Sequence, residues 1–471
     1  MTMWSGRFRE PLDPAFERWQ RSFGFDWRLL PHELAASKAH AVALKTAGVL
    51  SSEELISILE GLENIGAQVG SPESFQSDLL KDDQAEDIHH LVEKQLVARI
   101  GDVGYKLHSG RSRNEQVATD LRLYTRDCID QLRTQLAEWM EVLVARAESA
   151  GDAAMPAYTH LQRAEPVLVA HWLLSYVNMF LRDAERLADC RKRVNLCPLG
   201  SGPIAGAVLP LERAVMAASL DFEAPTDNSI DATSDRDFAL EFVNSLSLLA
   251  LHLSRWAEEM ILFSSQEFGF VHLPEAYSTG SSAMPQKKNP DLLELVRGKA
   301  ARIVGNANTL MIAVKGLPLA YNKDLQETQE PLFDAAETVL AMMPLVSGFM
   351  KAVEFDYSNM QLAAESGFMN AWAAATYLVQ RGVPFRMAHE QIGKAVQMCL
   401  DRGCELKDLP LQDLRQMHPA FDEKFYEGLN LAAVLALHDV SGGTAPLRVL
   451  QAIAVAKQKV ARVREGVHVH A

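Results

Sequence analysis

Long stretches without proline or glycine limit what this chain of 471 residues can fold into. The clearest runs from Asp235 to Phe268, is rich in Leu, Ala and Glu, and predicts a helix of roughly 50 Å at about 1.5 Å per residue. Further long helices are predicted near 160–195, 290–315 and 328–353. One more stretch carries an apolar stripe at spacings of three and four, formed by Ile129, Leu132, Leu136, Met140 and Leu143. Helices this long need a large bundle to bury them, so the sequence predicts an all-α fold.

Shorter helices are predicted towards both ends of the chain. Ser51-Ser52-Glu53-Glu54 has the pattern of a capping box and predicts a helix to about residue 65. Residues 363–465 contain short helices broken by Gly382-Val383-Pro384 and Gly442-Gly443. We therefore predict three regions: a mainly helical N-terminal domain (1–112), a central long-helix bundle (113–362) and a small helical C-terminal domain (363–471). The segment 246–263 is apolar around most of its circumference, which favours burial by other subunits over a monomeric bundle.

Composition excludes several classes of function. A net charge of −15 argues against a nucleic-acid surface or an anionic membrane partner. The five cysteines lack CxxC spacing and indicate reduced thiols; they are Cys128, Cys190, Cys197, Cys399 and Cys404. The first residues lack the apolar core of a signal peptide, and we see no apolar run near the ~20 residues of a membrane span. These features predict a soluble cytoplasmic protein.

The segment Gly280–Asp291 (GSSAMPQKKNPD) has the strongest chemical content. Gly280 and the prolines keep its first half irregular, while Pro290 is predicted at the first position of a helix with Asn289 as N-cap. A helix start offers unpaired N–H groups and partial positive charge. With Lys287 and Lys288 added, this segment is predicted to bind an anion beside a serine. An ordinary polar loop is the alternative.

Two other segments carry candidate residues. His108–Gln116 (HSGRSRNEQ) has two arginines able to bind a carboxylate, with Ser112 and Asn114 as neutral donors, at the start of a long helix. A charged helix cap is equally compatible. The segment Pro156–Arg163 (PAYTHLQR) lies between prolines and is predicted to connect two helices; His160 could transfer protons near neutral pH, although a lone histidine is more often structural. Residues 86–90 (EDIHH) and 321–326 (YNKDLQ) are weaker candidates.

Other common chemistries lack support in the sequence. Residues 200–206 (GSGPIAG) do not have dinucleotide-binding spacing, and no Walker loop, HExxH helix or GxSxG elbow occurs. The histidines His89, His90, His468 and His470 have no supporting carboxylate or cysteine spacing, so we predict that they are solvated and bind no metal.

Taken together, these segments resemble the fumarase/aspartase superfamily, whose signature is GSSxMPxKxNP. Within it, the chain looks like a member of the argininosuccinate lyase family, over about residues 4 to 465. The motifs that carry the resemblance are Trp4-Ser5-Gly6-Arg7-Phe8, Gly110–Asn114, Tyr158–Gln162, Gly280–Asp291 with Gln-Lys-Lys, Tyr321–Glu327 and Gly442–Pro446.

The resemblance implies a homotetramer with a twenty-helix core, in which three subunits contribute to each active site. It implies reversible elimination from argininosuccinate to arginine and fumarate, without metal or organic cofactor. By position, Ser281 matches the catalytic serine, His160 the catalytic histidine and Glu294 the carboxylate that orients it. Further matches are substrate ligands: Lys287 (which we also group with the catalytic residues), Ser22, Arg113, Asn114, Thr159, Asn289, Tyr321 and Gln326.

The chemistry is compatible with these roles. Removing a proton beside a carboxylate builds a doubly charged intermediate, so positive charge must be concentrated there. A serine hydroxyl is a poor base and must be ionised by the same positive field. We expect Ser281 to take the Cβ proton and an acid, through His160, to serve the departing guanidino group. The opposite assignment, with His160 as base, stays open at this point.

One departure from the family affects the expected substrate. Gln329 stands where the family has a lysine that contacts substrate, which predicts weaker carboxylate binding. Asn370-Ala371-Trp372-Ala373 also departs from Asn-Ala-Thr-Asp. Two alternatives therefore remain: a related lyase acting on another N-substituted succinate, and a weakened structural homologue like the lens crystallins derived from this family.

Overall fold

Helices make up most of residues 9–69, 80 and 84–468, which are the residues described by this computed structural model. The α-helices are, in chain order, α1 Pro14–Trp19, α2 Phe23–Asp26, α3 Leu30–Thr46, α4 Ser52–Val69, α5 Ile88–Ile100, α6 Arg113–Ala150, α7 Val169–Val194, α8 Arg213–Ser219, α9 Ser229–Ser234, α10 Asp237–Ser264, α11 Asp291–Val314, α12 Gln329–Ala352, α13 Tyr357–Ala364, α14 Ala371–Val379, α15 Phe385–Arg402, α16 Leu411–Met417, α17 Lys424–Glu427, α18 Leu431–Ala436 and α19 Pro446–His468. Short 3-10 helices span Trp27–Leu29, Gly101–His108, Glu275–Tyr277, Lys323–Thr328 and Leu406–Asp408. The motif at 4–8 and His470 lie outside the described residues.

Strands form four small two-stranded sheets that the sequence analysis did not predict. The strands are β1 Ala154–Thr159, β2 Gln162–Leu168, β3 Leu196–Cys197, β4 Ala224–Pro225, β5 Val271–His272, β6 Thr279–Gly280, β7 Lys288–Asn289 and β8 Glu354–Phe355. The pairs β1–β2, β5–β8 and β6–β7 are antiparallel, and β3–β4 is parallel. The all-α class is confirmed, because these strands are minor beside the helices.

The long predicted helices are present as α6, α7, α10, α11 and α12. The prediction that a helix covers 160–195 is wrong at its start: β2 occupies residues up to Leu168, and α7 begins at Val169. The capping box is confirmed. The backbone N–H of Glu54 donates to Ser51 Oγ (3.2 Å), and the N–H of Ser51 donates to Glu54 Oε2 (3.0 Å). The helix that follows ends at Val69, four residues later than predicted.

The chain divides into two compact units, whose boundaries cut α6, α7, α10, α11 and α12. Unit 1 comprises Met1–Gln131, Arg186–Ser247 and Ala301–Val339, and unit 2 comprises Leu132–Glu185, Leu248–Ala300 and Leu340–Ala471. Unit 1 contains an apolar cluster in which side chains of α3 pack with those of α8, Cys197 and Leu199. The three domains predicted from sequence are a different division and stay a prediction.

Aromatic side chains form much of the core of unit 2. Trp139 of α6 meets Trp256 of α10 edge to face at 5.1 Å, and Trp256 meets Phe349 of α12 at 5.7 Å. A second cluster joins α14, α15 and α16 and includes Leu378, Cys399 and Phe425. These rings fix the long helices on which the candidate loops of this unit are mounted.

Two surfaces of the long helices bear on the predictions made from the sequence. Segment 246–263 is not buried all round in this single chain, because Leu248 and Leu251 are 39% and 47% exposed. The stretch Lys323–Ala352 is long and apolar enough to cross a membrane, contrary to the sequence analysis. It is mostly buried within the protein, as a core helix would be, so this finding is weak evidence for a membrane span.

Candidate active site

The predicted anion-binding segment is a short hairpin made by β6 and β7. At its start, Ser281 Oγ accepts hydrogen bonds from the backbone N–H groups of Ala283 (3.3 Å) and Met284 (3.1 Å). Such donors favour a negatively charged oxygen over a neutral hydroxyl. No corresponding bond involves the Ser282 side chain within the described residues. The two adjacent serines therefore differ in hydrogen bonding, and the one that accepts two backbone N–H groups is Ser281, the match to the catalytic serine.

The predicted cap of the following helix is wrong by one residue. Helix α11 begins at Asp291, and the N–H of Glu294 donates to the carbonyl of Pro290 (3.0 Å), which places Pro290 at the N-cap. Asn289 instead lies in β7 and donates from Nδ2 to the carbonyl of Gly280 (3.3 Å). It thus joins the two strands next to Ser281 and does not cap the helix.

Lysine charge and a carboxylate flank the hairpin. The Lys287 side chain is exposed and makes no hydrogen bond or ion pair with any described residue, whereas Lys288 Nζ donates to the carbonyl of Leu273 (3.1 Å). Lys287 is therefore the lysine available to an anion. Glu294 is exposed in the first turn of α11.

His160 lies at the tip of the β1–β2 hairpin, which connects α6 to α7; the predicted connection between two helices is confirmed, although its strands were not predicted. Thr159 pairs with Gln162 across β1 and β2, leaving His160 and Leu161 as the two turn residues. Both have a φ of 57°, as in a type I′ turn, where asparagine and glycine are usual. Thr159 and His160 are both exposed. Holding two ordinary residues in this conformation costs energy.

His160 and Glu294 do not meet within one chain. Neither side chain has a hydrogen bond or ion pair among the residues that the structure describes, and both are exposed. The predicted orientation of His160 by Glu294 is therefore not present within the described part of one chain.

The predicted substrate ligands of unit 1 come from distant parts of the sequence and gather around Glu86 and Asp87. The N–H of Ser22 donates to the carbonyl of Glu86 (3.0 Å), and Arg113 pairs with Asp87 (3.1 Å). Burial raises the pKa of Tyr321, Arg236 opposes this shift, and Asp87 and Glu86 add to it.

The remaining ligands of this unit bind backbone carbonyls. Gln326 Nε2 donates to the carbonyl of Gln20 (3.1 Å), and Asn114 Nδ2 donates to the carbonyl of Pro203 (3.4 Å). The other arginine of the 108–116 segment, Arg111, points inward and donates to Ser37 Oγ (2.9 Å). Arg113 is thus the arginine nearer to the other predicted ligands.

Arg236 was missed by sequence reasoning. It is 1% exposed, and its Nε and NH2 groups have no hydrogen-bond partner in the described structure. Burial lowers the pKa of its guanidinium to about 10, and Tyr321 is the first of the groups that oppose this shift. Arg236 directly precedes α10, and this position carries no sequence pattern that would have marked it as part of a site. Gln329, at the start of α12, is 4% exposed, and its Oε1 likewise has no donor.

The prediction that His89 is solvated is wrong. It is 2% exposed, and its Nδ1 lies 2.8 Å from Glu33 and 3.4 Å from Asp120. The three side chains form a trio, and each carries an atom of a type that can bind a metal ion. Glu33 already accepts from Gln116, at 2.7 Å to each oxygen, and from Ser37 at 2.6 Å.

The electrostatics of this trio favour a shared proton. Arg111 lies 3.8 Å from Glu33. Although burial opposes it, Arg111 and His89 hold the pKa of Glu33 well below its usual range. Burial and the neighbouring Glu33 raise the pKa of Asp120 well above its usual range. An ionised Glu33 beside a neutral Asp120 fits a hydrogen-bonded carboxyl pair.

Comparison with known proteins identifies the family. A family model described as "Lyase" matches residues 6–305, and one described as "Argininosuccinate lyase C-terminal" matches residues 368–436. Argininosuccinate lyase from Koribacter versatilis is 59% identical, covering 100% of both chains. The enzyme of that name from Acidobacterium capsulatum is 60% identical, covering 95% of this chain and 93% of its own.

Solved structures agree in fold. EDDS lyase in complex with formate has a TM-score of 0.84 at 25% identity, covering 98% of this chain and 93% of its own. Class II fumarase from Schistosoma mansoni has a TM-score of 0.73 at 16% identity, covering 86% and 90%. The chain belongs to the argininosuccinate lyase family of the fumarase/aspartase superfamily.

Proposed function

We propose that this chain is a carbon–nitrogen lyase that cleaves argininosuccinate to arginine and fumarate, the last step of arginine biosynthesis. Relatives that are 59% and 60% identical over nearly all of both chains carry the name of this activity. The observation in the structure that carries the proposal is the Ser281 oxygen, which accepts two backbone N–H groups beside the unpaired Lys287.

Ser281 acts as the base in this proposal. The N–H groups of Ala283 and Met284 stabilise its alkoxide, and Lys287 adds a positive charge to the same hairpin. The alkoxide takes the Cβ proton of the succinate part, and the electron pair moves to form a dianionic intermediate beside the carboxylate. Collapse of this intermediate forms the double bond of fumarate and breaks the C–N bond, while the departing guanidino nitrogen takes a proton through His160.

His160 and Glu294 reach this chemistry from neighbouring subunits of a homotetramer. Three features support the assembly: the lack of partners for either side chain within the described chain, their exposure at a hairpin tip and a helix start, and the exposed Leu248 and Leu251 of α10. Exposed leucines on a long helix are expected where another helix packs on it.

The same proposal covers the substrate contacts, the cellular compartment and the alternative functions. Lys287 and Asn289 bind the substrate carboxylates, and the other substrate contacts are Ser22, Asn114, Thr159, Tyr321 and Gln326. Five free thiols are compatible with action in the cytoplasm. A lyase for another N-substituted succinate and a structural homologue are not favoured, because the relatives at 59–60% identity are named argininosuccinate lyase.

The experiment compares the two adjacent serines. Ser281→Ala removes the oxygen held by two N–H groups and is expected to lower kcat at least about a thousandfold, whereas Ser282→Ala is expected to stay within about tenfold of the parent. Fumarate release from argininosuccinate is followed by ultraviolet absorbance, and the oligomer of each variant by light scattering. A Ser281→Ala enzyme with native assembly and near-normal turnover would contradict the proposal.

A further inference from the structure

The C-terminus of α15 brings two cysteines together. Gly403 follows the helix in the left-handed conformation, with a φ of 63°. Its N–H donates to the carbonyl of Leu400 (3.4 Å), and the N–H of Cys404 donates to the carbonyl of Cys399 (3.0 Å). These two bonds define a Schellman motif, in which the first and last residues of the turn pack their side chains together. Here those two residues are Cys399 and Cys404.

Burial separates the roles of the two thiols. Cys399 is fully buried in the apolar cluster that includes Leu378, Leu406 and Phe425. Cys404 is only partly buried and packs against the same cluster. A reagent from solution therefore reaches Cys404 first, while Cys399 lies behind it.

We propose that Cys399 and Cys404 form a dithiol modification site that reacts with small disulfides, such as oxidised glutathione, and closes into an intrachain disulfide. The backbone bond of 3.0 Å brings the two residues together, and their thiols lie within hydrogen-bonding reach of each other. The three other cysteines, Cys128, Cys190 and Cys197, are buried and belong to unit 1.

The reaction is a thiol–disulfide exchange in two steps. The Cys404 thiolate attacks one sulfur of oxidised glutathione, which releases one glutathione thiol and leaves a mixed disulfide on Cys404. The Cys399 thiolate then attacks the Cys404 sulfur, which releases the second glutathione thiol and forms the Cys399–Cys404 bond. The protein loses two protons and two electrons, and the oxidant gains them.

Closure is expected to be slower than the first attack. Burial, the adjacent Cys404 thiol and the carboxylates of Glu405 and Asp408 raise the pKa of the Cys399 thiol to about 12. Little of Cys399 is therefore thiolate at neutral pH, so the dithiol stays reduced until an oxidant has reacted with Cys404. Cys399 can then attack despite its low thiolate fraction, because it lies next to the Cys404 sulfur.

The test uses the intact native protein and oxidised glutathione. After exposure, the protein is denatured so that buried thiols become accessible, free thiols are alkylated, and the protein is digested with trypsin without reduction. Cleavage after Lys394, Arg402 and Lys407 separates residues 395–402 from 403–407, so the disulfide appears as these two peptides joined. We expect the joined pair, about 2 Da lighter than the sum of the free peptides, and its loss on reduction.

The matched control is Cys404→Ser, which removes the exposed thiol and keeps the size of the side chain. It is expected to give no joined pair and a fully alkylated Cys399, while Cys128, Cys190 and Cys197 stay alkylated in both proteins. After an exposure long enough for the slower closure step to finish, a parent protein in which glutathione remains on Cys404, in which both thiols are alkylated, or in which either joins another cysteine would overturn the proposal. Each of these results is independent of lyase activity.

Discussion

A single buried carboxyl group connects a predicted substrate contact to the stability of the protein. Asp26 is 2% exposed and accepts from Ser22 Oγ (2.6 Å) and from the N–H of Ile88 (3.0 Å). Burial, followed by the nearby Asp87, raises its pKa from 3.8 to about 7. Between pH 3.8 and about 7, Asp26 therefore keeps its proton in the folded protein but loses it in the unfolded chain.

This shift fixes the sign of a pH effect. Because the pKa of Asp26 is raised on folding, its contribution is fully present below pH 3.8 and is lost as the pH rises through about 7. Asp26→Asn keeps an uncharged group of the same shape, so we expect its Tm to fall less than that of the parent between pH 4 and 7.

The control for this effect is Asp152→Asn, which changes an exposed carboxylate and is expected to follow the parent curve. Tm is measured in buffers of equal ionic strength. Parallel curves for the parent and Asp26→Asn would show that this carboxyl group does not bind an extra proton in the folded state.

At the level of elements, the β1–β2 hairpin stores strain at His160, the residue proposed to transfer a proton. His160 and Leu161 share a φ of 57°, although Leu161 is 67% exposed and has no predicted role. Asparagine adopts this conformation at lower cost, so Leu161→Asn and His160→Asn should each stabilise the protein by about 1 kcal/mol. Only His160→Asn should lose activity, by about a hundredfold or more in kcat.

Thermal unfolding and turnover of both variants separate strain from chemistry. The expected pattern is a small rise in Tm for both, with near-parental turnover for Leu161→Asn. Equal losses of turnover in the two variants would mean that the turn conformation, and not the imidazole, carries the effect.

The presence or absence of a local sequence pattern explains which elements the sequence could predict. The cap at Ser51 was predictable because its bonds join residues three apart, and the helices were predictable because their periodicity is long. The turn at His160-Leu161 lacks the Asn-Gly signal, and β6 and β7 contain two residues each, so neither hairpin gave a local pattern. The site residues were recognised by resemblance. Their gathering around Asp87 depends on tertiary contacts that no local pattern contains.

At the level of the whole molecule, one chain holds the parts of the proposed site without completing it. Ser281, Lys287 and Asn289 share the β6–β7 hairpin, whereas His160 occupies another hairpin and finds no partner among the described residues. If each site takes Ser281 from one subunit and His160 from another, two inactive variants can complement each other. This outcome distinguishes a shared site from one built within a single chain.

The complementation experiment mixes Ser281→Ala with His160→Asn under conditions that exchange subunits. In an equal mixture, a site obtains an intact Ser281 with a chance of one half and an intact His160 with a chance of one half, so activity should recover to about a quarter of the parent. The matched control mixes Ser281→Ala with Lys287→Met. Both changes lie in the same hairpin, so every site receives one defect or the other, and activity should not recover. If the first mixture is as inactive as its parents although mixed oligomers form, His160 and Ser281 must act within one chain, and the proposed subunit sharing is wrong.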